Sequence, residues 1–554
     1  MPPFTTSRRR LLRWVGAASI TGIAGCAGGS GGGSELVATL GADVSAYDPT
    51  QANDTTSRKA FGLVYEPLVS VDFDGTVRPT LATALDQQDD RTWRVSLREG
   101  VTFHDDSDLT AADVKATFDR YAGTPRESDV LLWYDDATIR DDYTLDVTLS
   151  EPYAPFQLSL GGVPIVPEAA ATDALDLSNG PVGTGPYAFD THDPDRLYRL
   201  TRAENHWYEG GGMRHTAESE AGDGEANDVP ATPPIETITF RIIVEQSSQV
   251  AALQGGDIDL ANNPPADSVA DLRDDDAITV SDHLAGGFEM LVFPLATPPF
   301  SNRDVREGVS RLIPRADIIE SVYGGIGQPA YAPISPLLDD YTSESFLTEM
   351  GDEHMRYDPE RARELLDSGF SDLDVSPPYE TAIVTNETGD RVRWAQLVRD
   401  ELNATDFFDV SIEQFEWSTY IGRVLSGDSH RSDAMMALGW SGGWDPDTYL
   451  RNVFYSEQAT PSCCNAAHYA NDEVDRLLDE ALTTYDTAER RALYEQAQRR
   501  IVADAPVGFV RFGTRIEAYR TDAVAGFETY PLDSGEFTAI YAPWAGTYTA
   551  TGGG

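Results

Sequence analysis

Hydrophobic positions along this chain recur in two rhythms. Short runs rich in β-branched and aromatic residues alternate with longer segments whose apolar residues fall three and four apart, which predicts an α/β protein and not a helical bundle or a β-sandwich. Three helices are explicit in the pattern. Thr110 followed by Asp113 forms an acidic capping box ahead of Val114, Phe118 and Tyr121, whose spacing puts them on one buried face. Asp358-Pro359 supplies a cap and a first-turn proline for a second helix, with Ala362, Leu365 and Leu366 on its inner side and Gly369 expected to stop it. Asn471 caps a third, with Val474, Leu477, Leu478 and Ala481 facing inward. The rhythm breaks at residues 209–232, a Gly-rich acidic stretch too poor in apolar residues to fold, which reads as a disordered surface insertion. No fixed-period repeat is visible, which argues against solenoids and propellers.

Composition narrows the setting. The 554 residues carry 92 acidic and 41 basic side chains, a formal charge of −51, while 41% hydrophobic content leaves ample material for several cores. Only Lys59 and Lys115 are lysines, and every other basic residue is arginine. Extreme acidity with lysine nearly eliminated suits concentrated salt, where carboxylates stay hydrated and their repulsion is screened, so a halophile's protein is expected. Nucleic acid is not an expected partner, because a phosphate backbone is repelled by a surface of this sign. No D-x-D-x-D-G loop points to bound calcium.

The first residues read as an address. A pair of arginines within Arg8-Arg9-Arg10 precedes an apolar run at residues 14–25, too short to span about 30 Å of hydrocarbon. It ends in Ile23-Ala24-Gly25-Cys26, which resembles a lipobox, so residues 1–25 are expected to be a twin-arginine lipoprotein signal and Cys26 the lipidated mature N-terminus. Residues 26–34 then form a Gly/Ser tether, placing a lipid-anchored body on the outer face of the membrane. After Cys26 only the adjacent Cys463 and Cys464 remain; two buried thiols are the default expectation, with a vicinal disulfide left open by the sequence.

A series of short motifs carries a family resemblance. Tyr65-Glu66-Pro67-Leu68-Val69, Gly75-Thr76-Val77-Arg78-Pro79 and Leu97-Arg98-Glu99-Gly100-Val101-Thr102-Phe103-His104-Asp105 come first. Gly183-Thr184-Gly185-Pro186-Tyr187, Ala252-Leu253-Gln254-Gly255-Gly256-Asp257, Pro298-Pro299-Phe300-Ser301-Asn302-Arg303 and Gly439-Trp440-Ser441-Gly442-Gly443-Trp444-Asp445-Pro446-Asp447 follow in order. Together they resemble the extracellular solute-binding proteins, family 5, of peptide and nickel ABC transporters, in a haloarchaeal form. The resemblance implies a type II periplasmic-binding-protein-like fold: two α/β lobes joined by two crossing strands, an extra subdomain in the first lobe, and a solute enclosed by hinge closure. By analogy the first lobe takes residues 35–70, 180–285 and 508–554, the subdomain 71–179 and the second lobe 286–507. A monomer that hands a di- or oligopeptide to an ABC permease is implied, with no catalytic residue and no cofactor. A nickel chelate or an oligosaccharide fits the same scaffold, and a surface sensor or receptor is the reading from another class.

A buried peptide needs its charged ends neutralised. In peptide-binding relatives an acid after the Gly-Trp pair captures the ammonium; here that loop, Trp440-Ser441-Gly442-Gly443-Trp444-Asp445, is one residue shorter and Gly443 stands near the acid's place. Asp445 either reaches the same charge or caps the following helix. Asp43-Val44-Ser45 resembles the edge strand that pairs with peptide backbone. Phe288, Trp417, Trp440 and Trp444 suit pocket walls and ordinary core alike. Phe293-Pro294 departs from the asparagine usual in relatives. Gly439-Trp440-Ser441-Gly442-Gly443 also matches the G-x-S-x-G nucleophile elbow, but His468 follows too soon to complete a hydrolase triad, so no enzyme is expected. The eight histidines are scattered without metal-ligand spacing, and no metal site is expected.

Overall fold

The computed structural model describes residues 35–172, 174–207, 235–373, 375–524 and 527–532. The signal, Cys26, the tether and the acidic insertion lie outside these described residues. No helix among the described residues is long and apolar enough to cross a membrane.

An eleven-stranded mixed sheet runs through both lobes. Its spine is a pair of long strands, Ile278–Val292 and Val507–Arg520, antiparallel from Ile278 opposite Arg520 to Val292 opposite Val507. Near one end the second of them pairs with Leu260–Asn262, and at the other end the first pairs with Met435–Trp440. These are the two crossing strands. Their ladder is interrupted between Leu284 and Phe288, where Gly286 and Gly287 sit. A Cβ on Gly286 would lie 2.0 Å from Tyr449 Oη, and one on Gly287 2.7 Å from the Trp440 carbonyl, so glycine lets neighbouring chain approach the crossing.

In the first lobe Glu35–Leu40 is parallel to Thr237–Ile242 and to Leu260–Asn262; in the second, Tyr379–Asn386 is parallel to Phe408–Phe415 and to Met435–Trp440. Parallel strands leave their carboxyl ends on one edge, which is where open α/β sheets bind ligands. Alternation along the strands buries both faces of the second lobe's sheet. Met290, Val292, Met436 and Leu438 join one core, whereas Leu291, Met435 and Ala437 join the other. The subdomain is a four-stranded antiparallel sheet closed over Phe118, Trp133 and Phe156. Hydrophobic packing puts Leu68 and Val69 in the subdomain core, Val71 and Phe73 in a second-lobe core, and Val166 and Leu177 in the first-lobe core.

The predicted caps form. Asp113 Oδ2 accepts from the Thr110 amide at 2.7 Å while Thr110 Oγ1 accepts from Ala112, and Asn471 accepts from Glu473 and Val474. Gly369 does not stop its helix, which runs Pro359–Leu373. A Cβ there would lie 2.6 Å from Val305 Cγ2, so this glycine serves the close approach of helix Arg303–Arg311. Cys463 and Cys464 form a vicinal disulfide.

An ion pair fastens the first lobe to the subdomain: Arg120 donates to both oxygens of Asp48 at 2.8 and 2.7 Å. Burial alone would raise the Asp48 carboxyl, but Arg120 and Thr50 outweigh it and hold it below the ordinary value. A native pKa below the unfolded value of about 3.9 contributes stability that is complete above that pH and is lost as pH falls through the depressed native value. Thermal unfolding of wild type and Asp48→Asn should therefore differ at pH 7 and converge toward pH 3. A gap that stays constant across this range would count against the fastening.

Candidate functional site

Strand ends of both lobes border a cleft: the chain after Ile242 and Asn262 lines its first-lobe side through Gln246 and Asn263, and the chain after Asn386 lines its second-lobe side through Thr388, Asp390 and Arg391. Two cavities take walls from both lobes. One, of about 210 Å³, rests on the crossing strands. Its wall includes Glu289 and Arg511, which are directly opposed in the ladder and paired at 2.9 Å, with the Tyr323 hydroxyl donating to Glu289 at 2.9 Å. Arg391 joins them, donating to Asn386 Oδ1 at 3.1 Å.

The other cavity, of about 350 Å³, is where all three parts of the fold meet. The first lobe contributes Pro49, Arg58 and Phe61; the subdomain contributes Tyr121, Arg126, Asp129, Trp133 and Tyr153; the second lobe contributes Gly443, Thr448 and Asn452. Aromatic walls with a few charged groups at fixed places are what an enclosed, orientable small ligand requires, and the volume is at the small end of ligand pockets. Arg126 and Asp129 form an ion pair. Burial holds the Asp129 carboxyl above its ordinary value, and the Arg126 and Arg58 guanidiniums offset this only in part.

The expected loop enters this cavity in part. Gly443 lines it, with nothing within 4 Å of where its Cβ would stand, so the acid's place noted in the sequence is open space. Thr448 Oγ1 accepts from the Gly443 amide at 3.0 Å and donates to the Asp445 carbonyl at 2.6 Å, holding the loop in shape. Gly442 packs against Thr448 and Tyr449, and Ser441 is exposed. Trp440 is half-buried with its indole donating to the Thr448 carbonyl at 2.9 Å.

Trp444 and Asp445 turn away from the cavity. Trp444 is buried over Gly75 of the subdomain's first turn, and its indole donates to the Tyr530 hydroxyl. Both Asp445 oxygens are taken by Arg490, at 2.7 and 2.9 Å, and Oδ1 also accepts from the Asp447 amide at 2.9 Å. The Asp447 amide contact lies at the start of helix Asp447–Phe454, whose N-cap position is Pro446. Phe288 is buried core, its ring 5.4 Å from that of Phe509. Trp417 stands 54% exposed after the strand ending at Phe415.

Residues 43–45 form no strand, and some of their polar groups are engaged within the lobe. His192 holds Asp43 at 2.7 Å, Val44 is buried in the first-lobe core, and the Ser45 amide donates to Ser57 Oγ at 2.9 Å. The segment is irregular and packs against the first lobe. Arg58, Arg126, Asp129, Thr448 and Asn452 went unnoticed in the sequence. Arg126 and Asp129 sit three apart on a short polar connector, a spacing too common to single out.

Two α/β halves joined by a crossed pair of long strands, with cavities walled from both, fit a two-lobed solute-binding protein. The model for bacterial extracellular solute-binding proteins, family 5 (middle region), matches residues 76–461, and the chain belongs to that family. It is a binding protein of ABC transporters and not an enzyme. The glutathione-binding protein GsiB of Pectobacterium atrosepticum is 27% identical over 530 residues, covering 94% of this chain and 96% of that protein. The periplasmic binding protein DppA of Helicobacter pylori, solved with the peptide STSA, is 25% identical with a TM-score of 0.72, covering 92% of this chain and 98% of that one. NikZ of Campylobacter jejuni, solved with Ni(L-His), matches in fold with a TM-score of 0.73 at 19% identity, over 92% and 99% of the two chains.

Proposed function

We propose that this protein captures a short peptide, of the size of a glutathione-like tripeptide, between its lobes and delivers it chemically unaltered to an ABC permease from a lipid-anchored position on the outer face of the membrane. The observation that carries this reading is the cavity where first lobe, subdomain and second lobe meet, walled by Phe61, Tyr121, Trp133 and Tyr153 and edged by Gly443. A ligand touching all three parts favours the closed arrangement through contacts absent from the open one, which is all that signalling to a permease requires. Relatives named for glutathione and for peptides support the same class of ligand.

The test is calorimetry on the body lacking residues 1–26, purified in the molar salt that its acidic surface suits, titrated with di- to tetrapeptides. Micromolar or tighter binding of short peptides is expected, together with a change in tryptophan fluorescence as Trp133 in the cavity wall changes surroundings. Binding of a nickel–histidine complex or an oligosaccharide with no peptide affinity would replace this reading.

A further inference from the structure

We infer that Tyr485 is a positioning residue for solute capture: from the second lobe its hydroxyl grips the subdomain segment that carries Tyr153, so that closure of the lobes and the wall of the three-part cavity are set together. The inference rests on that cavity being the solute site proposed above and adds a residue that lies outside it.

Tyr485 sits in the short connector Thr484-Tyr485-Asp486 between helices Asp472–Thr483 and Thr487–Asp504, the tip of a helical hairpin of the second lobe. Its hydroxyl accepts from the Tyr153 amide at 3.3 Å and donates to the Asp90 carbonyl at 3.0 Å. Beside it, the Leu482 carbonyl accepts from the Ala154 amide at 2.8 Å. Leu482 and the Tyr485 ring pack against the subdomain core, the ring lying 6.4 Å from that of Trp93. Two consecutive subdomain amides therefore find their partners on the second lobe, while Arg120 fastens the subdomain to the first. Amides shared in this way lose their partners when the lobes part, and regaining them favours the closed arrangement.

The gripped segment is also cavity wall. Tyr153 lines the cavity, and Ser159, on the same wall, donates from Oγ to the Tyr153 hydroxyl at 3.4 Å. The Tyr153 carbonyl accepts from the Phe156 amide at 3.2 Å. Pro152 and Pro155 bracket Tyr153-Ala154 with fixed φ angles and no amides of their own, so the segment passes a displacement on instead of absorbing it. A solute against the Tyr153 ring and the hairpin tip against the Tyr153 backbone hold one residue from two sides, and each contact therefore favours the other. Phenylalanine at this position keeps the ring packing and removes only the two bonds of the hydroxyl.

The experiment compares Tyr485→Phe with wild type, each as the full chain in detergent and fixed molar salt. Amide hydrogen exchange in the free protein should quicken about tenfold at Tyr153 and Ala154, the scale of one or two lost hydrogen bonds. Exchange in the subdomain strands Thr92–Leu97 and Thr144–Leu149 should stay as it is. With Ala-Ala-Ala as the probe, stopped-flow dissociation should speed about tenfold while association changes by less than about twofold, a split that lost stability alone does not produce. Tyr455→Phe, which loses a hydroxyl contact to Asp479 elsewhere on the same lobe, should match wild type in both measurements. Unaltered exchange at Tyr153 and Ala154 overturns the inference. Quickened exchange with unaltered dissociation also overturns it, while leaving the peptide reading intact. Where wild type binds no peptide, the peptide reading falls, and the exchange contrast by itself upholds or overturns the grip of Tyr485.

Discussion

Gly185→Ala is expected to destabilise the protein by about 3 kcal/mol or more, the upper part of the range for overpacking, because nothing nearby can give way. A Cβ at this position would stand 2.4 Å from the Leu63 carbonyl oxygen and 2.8 Å from that of Val64. Both obstacles are backbone. The segment is also stitched in place: the Gly185 amide donates to Val64 at 2.8 Å, and the Gly185 carbonyl meets His104 Nε2 at 2.8 Å. Gly183 is as tight, 2.1 Å from the Val64 oxygen, which explains both glycines of Gly183-Thr184-Gly185. Urea unfolding at fixed salt checks this against Gly443→Ala, whose Cβ enters open space and should shift stability by no more than about 0.5 kcal/mol. Equal midpoints for the two variants would contradict the packing argument.

Asp445→Ala should cost about 3–5 kcal/mol of stability, the penalty for leaving the other half of a buried ion pair uncompensated. The side chains of Asp445 and Arg490 are 7% and 4% exposed. Arg490 is further tied to the Ala481 carbonyl at 2.9 Å and the Tyr494 hydroxyl at 2.9 Å, so it cannot swing out to water when its partner is removed. The fraction that remains folded should bind peptide with its affinity nearly unchanged, since neither residue lines the cavities of the cleft described above. Unfolding and calorimetry on the same preparation separate the two effects. An unaltered midpoint with abolished binding would return Asp445 to the ligand site.

The contrast between Gly443 and Asp445 shows how far the sequence could be read. The loop containing both was recognisable from its Gly-Trp and Asp-Pro pairs, but two roles for Asp445 were compatible with its neighbours. What occupies its carboxylate is Arg490, 45 residues away in the chain, which packs beside it through helix Thr487–Asp504. Gly369 shows the same limit: near the end of an amphipathic pattern glycine reads as a stop, and only the crossing of a second helix reveals its use. At residues 43–45 the local pattern gives no hint of His192 and Ser57, distant in the chain, which engage the Asp43 carboxylate and the Ser45 amide.

What the sequence determined by itself was local and periodic. Apolar spacing set the α/β class, side-chain caps set helix starts such as Thr110 and Asn471, and the ordered motifs set the family. Each depends on residues within a few positions of one another, where geometry follows from backbone chemistry. The tertiary structure alone decided which charges share a cavity. Arg58, Asp129 and Gly443 come from distant stretches of chain, and their electrostatic relation exists only once the first lobe, the subdomain and the second lobe have packed together.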